Sequence, residues 1–134
     1  MSWWRRLFRR AAPAPLRGTP VVRRQKNYSA ATGYAYEYFY EGFRDEGGCR
    51  RHYFTVSADR KTWFELEVTV EDRAMEAWAA RHGRPLADNE RYAIAKMALF
   101  EAFDERPCPD SMQTPVRVDA VAAERLLARL GIDA

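Results

Sequence analysis

Cys49, His52, His82 and Cys108 are all the thiols and imidazoles in the chain, and four is the number of ligands a tetrahedral zinc site takes. Their spacing argues against that chemistry. Cys49 and His52 are a local pair, but gaps of 29 and 25 residues follow, whereas structural zinc sites pair their ligands locally twice. Cys49 beside a histidine is a possible nucleophile and base, yet no third orienting group or oxyanion loop accompanies them. Two carboxylate pairs, Glu65 with Glu67 and Glu71 with Asp72, would suit acid–base work if buried together. Alternation with Phe64, Leu66 and Val68 makes the first pair look like the wet face of a strand. The second sits where a helix start favours negative charge. No phosphate-binding glycine loop and no nucleophile elbow is present. The residues therefore call for no metal, no cofactor and no small-molecule substrate, and the expectation is a protein that is not an enzyme.

Charge is the stronger clue. Eight of the 22 Lys and Arg residues fall within positions 1–36, where none of the 19 Asp and Glu residues occurs, so a basic segment precedes an acidic body. A local cationic field attracts anionic partners whatever the rest of the chain carries. Within it, Trp3, Trp4, Leu7 and Phe8 fall in one arc of about 140° on a helical wheel, and Arg5, Arg6, Arg9 and Arg10 occupy the opposite side. So short a helix is marginal alone in water and orders on contact. Aromatic rings on one face and arginines on the other suit an anionic lipid interface or a groove on a protein partner. They also suit an organelle-targeting presequence. Pro13, Pro15, Gly18 and Pro20 break the chain into a semi-extended linker. Arg23, Arg24 and Lys26 then place a second basic cluster at the edge of the body.

The elements that must carry these residues follow from periodicity. Tyr34, Tyr36, Tyr38 and Tyr40 share one parity of a strand, with Glu37, Phe39 and Glu41 on the other. Tyrosines in a row on a sheet can stack bases, which makes nucleic acid a possible partner, but they suit the helix-covered side equally well. Glycines at 47 and 48 make a turn, strand-like sequence resumes from Arg51 to Val56, and Trp63 to Val70 alternates again. A three-stranded antiparallel meander is the expectation. Thr69 with Asp72 has the spacing of a capping box for a first helix that Gly83 and Pro85 stop. Asp88 or Asn89 would cap a second helix, and Asp119 a third that ends at Gly131. The segment ERYAIAKMALFEAF resembles the last helix of double-stranded-RNA-binding domains. It lacks the lysine cluster those domains carry at its start, where Asp88, Glu90 and Arg91 stand instead, so no residue roles are carried over.

These readings combine into an α+β fold: a three-stranded antiparallel meander followed by three helices packed on one sheet face, with a flexible basic N-terminal arm. The expected division is an arm and linker over 1–26 and one domain over 27–134. With 47% hydrophobic residues, the body has enough apolar material to form a core without a disulfide framework. Two cysteines and no signal-peptide pattern point to the cytoplasm, with peripheral membrane attachment as an extension. The expected role is that of an accessory or interaction protein. Its arm docks on an anionic surface or partner protein while its body packs against a partner within a larger complex. The alternatives are a nucleic-acid-binding module using the arm and the Tyr34–Tyr40 face, and a small enzyme whose site the sequence does not disclose.

Overall fold

The computed structural model describes residues 15–132, and they form a mixed α+β fold. The sheet has five strands rather than the expected three. Strand β1 (Lys26–Ser29) pairs antiparallel with β2 (Ala35–Glu46), β2 with β3 (Cys49–Ser57), and β3 with β4 (Phe64–Glu71). A last strand, β5 (Val116–Val118), runs parallel to β4, giving the order β1-β2-β3-β4-β5. The two additional strands have four and three residues, too few for a period-2 pattern to be read. Each exists because a longer neighbour supplies the hydrogen-bonding edge.

Helices α1 (Asp72–His82), α2 (Asp88–Glu105) and α3 (Ala120–Arg129) cover one face of the sheet, and a 3-10 turn over Pro109–Gln113 leads into β5. That face is set by parity. Tyr36 and Tyr38 on β2, Phe54 and Val56 on β3, and Leu66, Val68 and Val70 on β4 are buried with Ile94, Leu99 and Phe103 of α2. The tyrosine row runs antiparallel along α2: Tyr36 stacks on Phe103 at 4.3 Å, Tyr38 meets Phe100 edge-on at 5.9 Å, and Tyr40 meets Tyr92 at 4.5 Å. Offset and edge contacts of this kind add roughly 0.5–1.5 kcal/mol per pair beyond area burial.

Helix ends follow the sequence in part. The Asp119 carboxylate accepts the Ala122 N–H at 2.9 Å and caps α3 as expected. Helix α2 begins after Ala87, whose N–H is accepted by Glu90 at 2.9 Å. Helix α1 begins after Glu71 with no side-chain cap, while the Thr69 hydroxyl is directed to Glu67. Gly47 and Gly48 both have positive φ, 64° and 74°, and make the two-residue turn between β2 and β3.

The opposite sheet face carries ion pairs beside the rings of Phe39 and Trp63, which meet at 5.5 Å. Arg51 meets Glu67 at 2.7 Å, Arg60 meets Glu37 at 2.7 Å, and Arg117 meets Glu71 at 2.9 Å. Among the described residues no helix is long and apolar enough to cross a membrane.

Candidate interaction surface and a cleft beside it

Residues 15–24 are tied along the free edge of β2, beyond the point where β1 ends. The N–H of Arg17 donates to the Phe43 carbonyl at 2.9 Å and the Phe43 N–H donates to the Arg17 carbonyl at 2.8 Å, a bridge that extends the sheet by one residue. The Thr19 hydroxyl donates to the Glu41 carbonyl, and the Arg23 guanidinium takes the Glu41 carboxylate at 2.6 Å while lying 3.7 Å from the Phe39 ring centroid. That ion pair, with the Thr55 hydroxyl, holds the Glu41 carboxyl below the usual range despite its partial burial. Two glycines permit the contact. A Cβ on Gly42, whose φ is 119°, would lie 2.7 Å from the Arg17 carbonyl oxygen, and one on Gly18 would lie 2.8 Å from the Phe43 ring. Only residues without a side chain let the two backbones approach this closely. The segment is a strap on the body.

The same glycine lies at a β-bulge. The register of β2 against β3 shifts between Tyr40 and Gly42, so one residue is left over and parity is reset. Before the bulge the even-numbered tyrosines face the helices; after it Phe43 and Asp45 sit opposite His52 and Arg50. A side of β2 that carries only rings therefore continues as a mixed aromatic and charged site.

There the strap, the bulged end of β2, His52 on β3 and the first turn of α2 enclose a cleft of about 350 Å3, bordered by Arg17, Gly18, Pro20, Tyr40, Phe43, His52, Asp88, Asn89 and Tyr92. His52 is 1% exposed, and its Nδ1 lies 2.9 Å from the Tyr40 hydroxyl. Burial, followed by the charges of Arg50 and Arg91, pushes its pKa down to about 3. The imidazole is therefore neutral at ordinary pH. Its Nε2 is buried and has no hydrogen-bond partner among the described residues. Burial and the neighbouring Tyr92 also raise the Tyr40 phenol well above its ordinary value, which keeps its proton available for the histidine contact.

Behind the ring pair the charges are matched. Arg50 donates to both Asp45 oxygens at 2.8 and 3.2 Å and to Asp88 at 2.9 Å, and its guanidinium lies 3.9 Å from the Phe43 ring centroid. Arg17 also reaches Asp45 at 3.1 Å, and Arg91 reaches Asp72 at 3.3 Å. Hydrogen bonds from Arg50 hold both Asp45 and Asp88 below the usual carboxylate range.

The residues singled out in the sequence are distributed unevenly. Trp3, Trp4, Arg5, Arg6, Leu7, Phe8, Arg9 and Arg10 lie outside the described residues. In the second basic cluster Arg23 is engaged by Glu41, whereas Arg24 and Lys26 are exposed. Tyr36 and Tyr38 are buried under α2 and have no open ring face; Tyr34 is 40% exposed and Tyr40 lines the cleft. Cys49 is on β3, Cys108 precedes the 3-10 turn, and His82 stacks on Trp78 at the end of α1. No three His, Cys, Asp or Glu side chains converge on a metal-sized site among the described residues. Glu67, Glu71 and Asp72 each face an arginine instead of one another. What sequence reasoning missed is the joining of residues 17–20, 40–43, 52 and 88–92, and only Gly18 and Gly42 offered a signal for it.

Fold and site define the chain as a small α+β protein with a strapped sheet edge and an aromatic cleft. Comparison with protein-family models, curated proteins and solved structures gives no match.

Proposed function

We propose that this chain is a non-enzymatic interaction protein whose basic amphipathic N-terminal segment docks on an anionic lipid surface while the α+β body packs against a protein partner. The observation that carries this reading is the strap. Residues 15–24 are clamped to β2 by a backbone bridge and two ion pairs, Arg17 with Asp45 and Arg23 with Glu41. The arginine and tryptophan segment therefore leads directly into a fixed point on the body. A fixed root transmits docking to the body, whereas a long loose tether would leave the body's orientation unset. Val21 and Val22, fully and largely exposed on the strap between Pro20 and Arg23, supply apolar contact at that root.

The chemistry is electrostatic capture followed by aromatic insertion. Each arginine near an anionic surface contributes on the order of 1 kcal/mol, and the Trp3, Trp4, Leu7 and Phe8 face supplies the apolar burial. Vesicle co-sedimentation tests this. The full chain is expected to sediment with phosphatidylserine-rich vesicles and not with phosphatidylcholine vesicles, and a chain lacking residues 1–14 is expected to stay in the supernatant with its Tm unchanged. Equal behaviour of the two chains would refute the proposal. Stronger and more salt-sensitive binding to a single-stranded oligonucleotide than to the vesicles would replace it with the nucleic-acid reading.

A further inference from the structure

The cleft plays no part in the docking just proposed, and its lining is specific. Three aromatic rings, Tyr40, Phe43 and Tyr92, and the Pro20 ring form its walls, and the His52 imidazole borders it from β3. Its volume of about 350 Å3 lies near the lower end of the range of roughly 300–1,000 Å3 for small-molecule sites, which suits one or two fused rings. The polar groups are few and separable. The carboxylates and guanidiniums at the cleft already satisfy one another, Arg17 and Arg50 on Asp45 and Arg50 again on Asp88. A charged ligand would compete with these pairs for Arg17 or Asp88. Three neutral side-chain groups remain: the Asn89 carboxamide, exposed at the rim, and the Tyr92 hydroxyl, both with no hydrogen-bond partner among the described residues, and, within the wall, His52 Nε2, buried and unpartnered. A buried polar atom left unsatisfied is destabilising, so a group that satisfies it is favoured there. A carboxamide offers a donor and an acceptor side by side.

We infer that the cleft between the strap, the β2 bulge and the first turn of α2 binds a small, uncharged, planar ring compound carrying an amide-like donor and acceptor edge. The ring lies among Tyr40, Phe43 and Tyr92, and its polar edge meets Asn89 and His52. Because Gly18 and Pro20 form part of the wall, occupancy also braces the strap.

The chain has two histidines, so its imidazole NMR spectrum contains one reporter in the cleft and one outside it. Titration of the full chain with benzamide and with adenine is expected to move the His52 signals saturably and leave those of His82 in place. Tyr92→Ala and Asn89→Ala are each expected to weaken the response about fivefold to tenfold. Asn89 is exposed, so its variant keeps the test decisive if the Tyr92 variant fails to fold. Benzoate and cyclohexanecarboxamide, which replace the neutral edge with a charge and the flat ring with a puckered one, are expected to bind more weakly. The inference is overturned by any of four results: no saturable movement of His52 with either ring, equal or tighter binding of the controls, no effect of both substitutions, or binding of a short oligoadenylate while free adenine is silent.

Discussion

The two halves of β2 use the same strand and the same neighbour for different ends. From Ala35 to Tyr40 the inward side chains are rings that interlock with α2, and the result is core, with Tyr40 at its border with the cleft. From Gly42 to Glu46 the inward side chains are Phe43 and Asp45, set against His52 and Arg50, and the result is a cleft with an ion network behind it. One bulge separates them. A strand that kept its parity through Glu41 would have turned Phe43 and Asp45 to the opposite face, since a one-residue shift exchanges the faces of a strand. The bulge therefore makes a site at the end of a core strand, and the strap closes it from the free edge.

The largest test of this contrast compares its two aromatic ends. Phe103→Ala removes the fully buried ring on which Tyr36 stacks and is expected to cost about 3–5 kcal/mol in denaturant unfolding. Tyr92→Ala, at the half-buried cleft end, is expected to cost less than half as much. Equal losses would break the distinction between core and cleft.

Gly42→Ala comes next. It places a Cβ against the Arg17 carbonyl at a φ of 119° and is expected to cost about 1–3 kcal/mol. The strap should lift while the Tyr36 and Tyr38 end remains packed. Chemical shifts of the strap and of α2 would read the two ends separately.

Acidification sharpens the same contrast. The His52 pKa is depressed from 6.5 to about 3 in the folded protein, so the unfolded chain binds the extra proton first. Its contribution to stability is complete above pH 6.5 and is lost as pH falls toward 3, at up to about 1.4 kcal/mol per pH unit. The Asp45 and Asp88 carboxyls are held below their ordinary value of 3.8, so their loss begins lower. A stability slope between pH 6.5 and 5 that is reduced in His52→Gln is the expected result, and an identical slope in both proteins would place the histidine in contact with water. The smallest effect is expected for Arg23→Gln. Its pair with Glu41 is half-exposed on the arginine side, so the loss should stay within about 1 kcal/mol of unfolding free energy.

Much of the core was legible because it is periodic. The tyrosine alternation as far as Tyr40, the apolar face of Leu66, Val68 and Val70, the glycine turn at 47 and 48 and the Asp119 cap all follow local rules. Lys26–Ser29 and Val116–Val118 were not legible, since strands this short owe their pairing to a neighbour. Nor was the bulge, because Glu41 and Gly42 continue a plausible strand and only the register with β3 reveals the extra residue. His52 stands out in the sequence as one of four potential ligands, but its setting is made by Tyr40 and Phe43 on either side of the β2 bulge and by the charge of Arg91 on α2, which no sequence spacing connects to it. In the sequence the prolines and Gly18 mark a linker. In the fold Gly18 serves close approach, and Arg17 beside it bridges to Phe43 of β2.

The most direct measurement of the central claim is hydrogen exchange at the amides of Arg17 and Phe43 in the full chain. These two groups bond to each other's carbonyls at 2.9 and 2.8 Å, so they report whether the strap belongs to the sheet. Both are expected to exchange slowly, at rates comparable with the β1 amides, and to lose that protection in Gly42→Ala while Tyr38 keeps its own. Exchange of both at the rate of an unstructured peptide in the unaltered protein would contradict the account, since the basic segment would then have no fixed root and the cleft no wall on that side.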